Sequence, residues 1–233
     1  FLGVDTFTVG YTDGVSNSIV NVTVEITNKA PCVSDSSVSL HWSTLSSGYQ
    51  FNPLLQARDK DHDPLSVVSA VLTVGSGTVT LDQGIVTVVP SQGFVGLLTV
   101  EFVISDQIQT TSGLHTIAST NAAPVTAPKS YSIHWRSYTG QGLVLDVTSG
   151  DVDADGDTIT LVSVSALSNP DAGTVSIEGN SVRIVAEDGH FVSQFLFQYT
   201  VSDGAMNGQV TQTVTVVVTN TAPTAVNDNF RIH

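Results

Sequence analysis

Residues Val100-Glu101-Phe102-Val103-Ile104-Ser105-Asp106 set apolar side chains at 100, 102 and 104 and then end on an acid. Alternation with period two puts those three side chains on one face of an extended strand, the face that a sheet buries. The same figure occurs twice more. Phe7, Val9 and Tyr11 lead to Asp13-Gly14, and Phe197, Tyr199 and Val201 lead to Ser202-Asp203-Gly204. The acids lie 93 and 97 residues apart. Self-similarity at a fixed period marks a tandem array.

A second register mark agrees. Asn28-Lys29-Ala30-Pro31, Asn121-Ala122-Ala123-Pro124 and Asn220-Thr221-Ala222-Pro223 place their prolines 93 and 99 residues apart, and His41, His134 and His233 each follow ten residues later. Phe1-Leu2-Gly3 matches Phe94-Val95-Gly96, so the chain is expected to open inside one repeat and to be a segment of a longer protein. Residues 1–30 then read as the last strands of a repeat, 31–123 and 124–222 as full repeats, and 223–233 as the first strand of another. Proline in the short join ends the preceding strand and stiffens the link.

Within a repeat, short alternating runs are cut by Gly, Asp, Asn and Pro about every 8–12 residues. Val71-Leu72-Thr73-Val74, Gly77-Thr78-Val79-Thr80-Leu81 and Ile85-Val86-Thr87-Val88-Val89 are examples, the last two joined at Asp82-Gln83-Gly84. Val and Thr suit a half-buried pleated surface, while Lys and Arg total only 7, which starves helices. The fold class is therefore all-β. About seven strands per repeat is the count of an immunoglobulin-like or cadherin-like β-sandwich.

The formal charge of −14 comes from 21 acids. Most are Asp, a residue of turns and oxygen-ligand loops. Such a chain repels nucleic acid and anionic membrane surfaces, so neither is an expected partner, and no apolar run is long enough to span a bilayer. Divalent cations are the natural partner. Cys32 stands alone and closes no internal disulfide.

Two aligned loops gather the acids: Asp59-Lys60-Asp61-His62-Asp63 and Asp153-Ala154-Asp155-Gly156-Asp157. Three carboxylates at alternating positions repel one another by roughly 1 kcal/mol per close pair even in water. A cation relieves that, and Ca2+ suits best because it takes six to eight oxygens in loose geometry. Asp151-Val152-Asp153-Ala154-Asp155-Gly156 also fits the opening of an EF-hand loop, but position twelve is Val162 where a bidentate Glu is required. The EF-hand reading fails.

The ordered set Asn-x-Ala-Pro, Asp-x-Asp-x-Asp, Phe-x-Gly and an aromatic strand ending in Asp resembles the cadherin-like tandem repeats of large secreted adhesins, over essentially the whole chain. The resemblance implies one calcium site from Asp59, Asp61, Asp63 and Asp106, a second from Asp153, Asp155, Asp157 and Asp203, and a remnant at Asp13. It also implies acids shortly after the linker proline. Asp35 and Asp228 match, whereas the third repeat has Pro128-Lys129 there, and Lys129 is expected to supply a fixed charge in place of an ion. Glu187 and Asp188 would lie at the opposite pole, facing Asp228. The implied role is that of an extracellular extender, its joints stiffened by calcium, touching chiefly neighbouring repeats of its own chain. A filament spine wrapped by other subunits, as in an algal mastigoneme, is the alternative, and a carbohydrate-binding module a third.

Other features carry less. His41-Trp42 and His134-Trp135 recur in one register, as packing of a first strand requires. His62 has no second His or Cys at metal spacing. No Gly-x-Ser-x-Gly elbow appears, and paired carboxylates copied in each repeat are not a unique cleft, so no enzymatic activity is expected. Asn21-Val22-Thr23 is an N-glycosylation sequon with Asn21 on the face opposite Val20, Val22 and Val24.

Overall fold

Strands form where the alternation predicts them. In the computed structural model, which describes residues 2–137, 140–187, 189–228, 230 and 231, the chain divides into two compact units, residues 1–120 and 121–233.

The first unit begins with a hairpin, β1 (Gly3–Thr12) and β2 (Asn17–Ile26), in unbroken antiparallel register from Gly3↔Ile26 to Thr12↔Asn17. Its apolar face carries Phe7 opposite Val22 and Val9 opposite Val20. Phe7 and Tyr11 remain half exposed, because two strands alone give one layer and no core. Nine strands follow: β3 (Cys32–Val33), β4 (Ser36–His41), β5 (Tyr49–Phe51), β6 (Ala57–Arg58), β7 (Ser66–Val74), β8 (Gly77–Asp82), β9 (Ile85–Pro90), β10 (Gly96–Ser105) and β11 (Thr110–Thr120). One turn of helix, α1 (Trp42–Leu45), is the one α-helix among the described residues. A four-stranded sheet in the order β4-β11-β10-β7 faces a three-stranded sheet β5-β9-β8, with β4 parallel to β11. Leu98, Val100, Phe102 and Ile104 alternate inward along β10, and Val86 and Val88 meet them from β9. The turn expected at Asp82-Gln83-Gly84 is a two-residue hairpin loop. Gln83 and Gly84 both have positive φ (48° and 81°), the conformation that matches strand twist.

The second unit repeats the plan with β12 (Lys129–His134), β13 (Leu143–Leu145), β14 (Thr160–Val164), β15 (Thr174–Glu178), β16 (Ser181–Val185), β17 (Gln194–Ser202) and β18 (Gln209–Thr219). Its sheets are β12-β18-β17-β14 and β13-β16-β15, again with the first strand parallel to the last. Phe195, Phe197, Tyr199 and Val201 from β17 and Val214, Val216 and Val218 from β18 form the core. The fold class is thus as expected: two sandwiches of four and three strands. A first strand over 223–233 is not formed by its described residues, which have no sheet partner to take their backbone bonds. His233 lies outside the described residues.

Candidate metal centre

Backbone pairing brings each linker beside an acid loop. In the first unit β3 pairs antiparallel with β6, Cys32 opposite Arg58. Continuing that register sets Pro31 beside Asp59 and Lys29 beside Asp61, and the Lys29 amide donates to Asp61 Oδ2 at 2.8 Å. In the second unit a bridge joins Val125 to Val152. The same continuation sets Ala122 beside Asp155, and the Ala122 amide donates to Asp155 Oδ2 at 2.6 Å.

Each triplet is wound around its first acid. Asp59 Oδ1 accepts from the amides of Asp61 and Asp63 at 2.7 and 3.2 Å, and Asp153 Oδ1 accepts from those of Asp155 and Asp157 at 2.9 and 3.2 Å. The curl needs a left-handed residue at its apex. Gly156 supplies it freely (φ 83°), and His62 takes it at a steric cost (φ 67°). Asp59, Asp61 and Asp63 each present an oxygen within 4.8 Å of the others. Calcium–oxygen distances of roughly 2.3–2.6 Å let two ligands of one ion stand up to about 5 Å apart, so this set can share a calcium ion. The other oxygen of the first acid is left over in both repeats: Asp59 Oδ2 and Asp153 Oδ2 are buried without a hydrogen-bond partner. An orphaned carboxylate oxygen is costly unless a ligand claims it.

Asp106 and Asp203, expected beside the triplets, are tied to the linkers. Both are buried at the turns after β10 and β17. Asp106 Oδ1 accepts from the amides of Ile108 and Gln109, and Asp203 Oδ1 from that of Ala205. Their second oxygens accept the side-chain amides of the linker residues Asn28 and Asn121, each at 2.8 Å. The Asn28 bond, with the Gln109 amide next, holds the Asp106 carboxyl below its ordinary range. Asp106 is not in the 4.8 Å group, and among the described residues Asp153, Asp155 and Asp157 form no group that tight; each turn acid anchors its linker. Gly208 makes room for this, since a Cβ there would stand 1.5 Å from Asp203 Oδ1. Asp13 closes the same kind of turn, accepting from the Ser16 and Val15 amides, which lower its carboxyl pKa.

The remaining expected residues that are described are not in the 4.8 Å group. Asp35 is exposed and caps the Leu114 amide. Asp228 and Glu187 are exposed, and Asp188 lies outside the described residues. Lys129 supplies a fixed positive charge to Asp151, two residues before the second triplet. Its ammonium pairs with Asp151 at 3.0 Å, both side chains buried, and Asp151 also accepts from the Ala127 amide and the Tyr199 hydroxyl. Burial, then Asp151, push the Tyr199 hydroxyl pKa well above its ordinary value. In the first unit the register puts Ser36, Ala57 and Phe102 at these three places, so the whole group is exchanged together. Asn21 is exposed on β2, opposite Thr8. Cys32 is exposed and free.

Sequence reasoning took the recurring Asn for a linker mark and missed its side-chain role. The recurrence at 28, 121 and 220 was the available signal. Asn220 too is held, accepting from Trp135 Nε1 at 2.9 Å.

A family model described as a bacterial Ig domain matches residues 28–118 and again 121–217. The chain belongs to the bacterial Ig domain family. No curated protein sequence matches it. Among solved structures, this tandem of bacterial Ig domains is similar to an endo-fucoidan hydrolase of glycoside hydrolase family 107, at 17% identity and TM-score 0.31, over 95% of this chain and 34% of that one. It is similar to Drosophila N-cadherin EC1-4 at 14% identity and TM-score 0.34, over 93% of this chain and 58% of that one. Human protocadherin-24 EC1-2 is matched at 16% identity and TM-score 0.33, over 84% of this chain and all of that one. The chain spans about a third of the hydrolase structures it matches.

Proposed function

We propose that these bacterial Ig domains form an extender segment of an extracellular surface protein, and that calcium at each acid triplet fixes the entering linker to its repeat. The observation that carries this is the duplication of one arrangement in two units. In both, a linker amide donates to the middle acid of the triplet, a linker Asn donates to the turn acid, and one oxygen of the first acid is orphaned. An array element copied with its unsatisfied oxygen is what a recurrent ligand accounts for, whereas a solvated acidic turn would leave that oxygen in water.

Asp59, Asp61 and Asp63 would hold the ion in the first full repeat, and Asp153, Asp155 and Asp157 in the second. The ion supplies charge neutralisation. Asn28 and Asn121, with the Lys29 and Ala122 amides, keep the linker against the loop that it closes. Extracellular modules bind calcium with Kd of roughly 10⁻⁴–10⁻³ M, which suits the outside of a cell. The expected partners of the segment are the adjoining repeats of its own chain. The test is calorimetric titration of Ca2+ into the intact chain, Asp59→Asn and Asp153→Asn. Two sites are expected, with each variant losing one. Heat unchanged in both variants would refute the assignment of the sites.

A further inference from the structure

The two edge strands β4 and β5 of the first sandwich are not bridged, and a groove runs between them. Its floor is aromatic. Phe51 stacks on His115 at 4.1 Å, Tyr49 lies nearly parallel to the same imidazole at 5.6 Å, and Tyr49 and Phe51 are 6.2 Å apart. The imidazole is locked in place, 5% exposed, its Nδ1 bonded to Ser36 Oγ at 2.7 Å. Gln56 and the Asn52 side-chain NH2 line the rim, Asn52 Oδ1 accepting from the Leu54 amide, with Gln50 at its edge donating to Thr87 Oγ1 at 3.1 Å. No Asp, Glu, Lys or Arg lines the groove, in a chain carrying 21 acids.

The second unit is built differently at the same place. There Tyr131 stands where β4 has Val38, and its hydroxyl reaches across to the Asp146 carbonyl at 2.9 Å, tying β12 to the residue after β13. Lys129 and Asp146 bring charge to that lining. An open, uncharged, ring-floored groove is therefore a property of the first repeat and not of the fold.

We propose that this groove binds a neutral saccharide chain against the Tyr49 and Phe51 rings, which the buried His115 imidazole backs from below. Ring faces take the apolar C–H faces of a sugar, and side-chain amides offer both donors and acceptors, as sugar hydroxyls do. The missing charge selects against uronates and sulfated sugars. An added peptide strand, the other occupant that open sheet edges invite, would use backbone bonds and leave the amide rim unused.

Affinity electrophoresis of the whole chain in gels holding laminarin, galactomannan, xyloglucan or alginate tests this. Retardation is expected in at least one neutral gel and not in alginate, and it persists in EGTA because no carboxylate lines the groove. Val38→Tyr copies the ring of the second repeat, and Gln50→Ala with Gln56→Ala strips the rim. Each is expected to weaken retardation at least tenfold, the rim variant with an unchanged unfolding midpoint, whereas Val38 packs against the core and its enlargement also shifts the midpoint. Migration unaffected by every neutral polysaccharide, retardation in alginate alone, or full retardation of both variants overturns the proposal.

Discussion

Lys129, Asp151 and Tyr199 form a buried polar group in one repeat whose counterpart in the other is Ser36, Ala57 and Phe102. Removing only the cation, by Lys129→Ser, leaves the Asp151 carboxylate fully buried with the Ala127 amide and Tyr199 hydroxyl as its remaining donors. Breaking one side of a buried pair costs about 3–5 kcal/mol, because the surviving charge is uncompensated. The two remaining hydrogen bonds put Lys129→Ser near the lower end of that range. A domain of this kind has about 5–15 kcal/mol in total, so the single change removes a large share. The triple change Lys129→Ser, Asp151→Ala, Tyr199→Phe removes the charges together and installs a set the same fold already packs. It is expected to lie within about 1 kcal/mol of the parent or to be more stable. The assay is urea unfolding read by tryptophan fluorescence. The chain has 2 tryptophans, Trp42 and Trp135, one in each unit, so a Trp42→Phe background reports the second unit alone. A single variant that loses less than about 1 kcal/mol, or a triple variant as unstable as the single, would refute the reasoning.

Two further outcomes follow from the turn and the stacked histidine. Gly208→Ala drives a methyl into Asp203 Oδ1 and is expected to cost about 1–3 kcal/mol, with loss of the Ala205 amide bond to Asp203 Oδ1 read as faster amide exchange at Ala205. Burial pushes the His115 pKa down, so folding favours its neutral form and the unfolded chain binds the extra proton on acidification. The first unit should therefore lose stability as pH falls below about 6.5, a slope that His115→Val removes, since Val214 occupies that register position in the second unit. Unfolding midpoints between pH 5 and 8 measure it, and an equal slope in both proteins contradicts it.

Much of the fold could be read from local pattern. Alternation along Val100–Ile104 and Phe197–Val201 predicts the strands that became the middle of each four-stranded sheet, and the Asn-x-Ala-Pro spacing aligns the acid triplets, whose turn bonds recur in both units. The site was legible only as far as its residues are close in sequence. Asp59, Asp61 and Asp63 converge because one curl carries them all. Asp106 meets Asn28 across 78 residues, and Asp203 meets Asn121 across 82, so no spacing rule reveals these linker bonds. The partner of Lys129 was hidden for the same reason: Asp151 sits 22 residues on, in a position that the first repeat fills with Ala57.

Thermal unfolding of the intact chain in 10 mM CaCl2, in 10 mM MgCl2 and in EGTA bears most directly on the acid triplets. At about 100 times Kd, one bound ion adds about 2.7 kcal/mol to the repeat that holds it. Magnesium, which demands tighter octahedral geometry, adds little. A midpoint raised by several degrees in calcium alone, and lost in the Asp61→Asn, Asp155→Asn double variant, is the expected result. Identical midpoints in calcium and EGTA would contradict it.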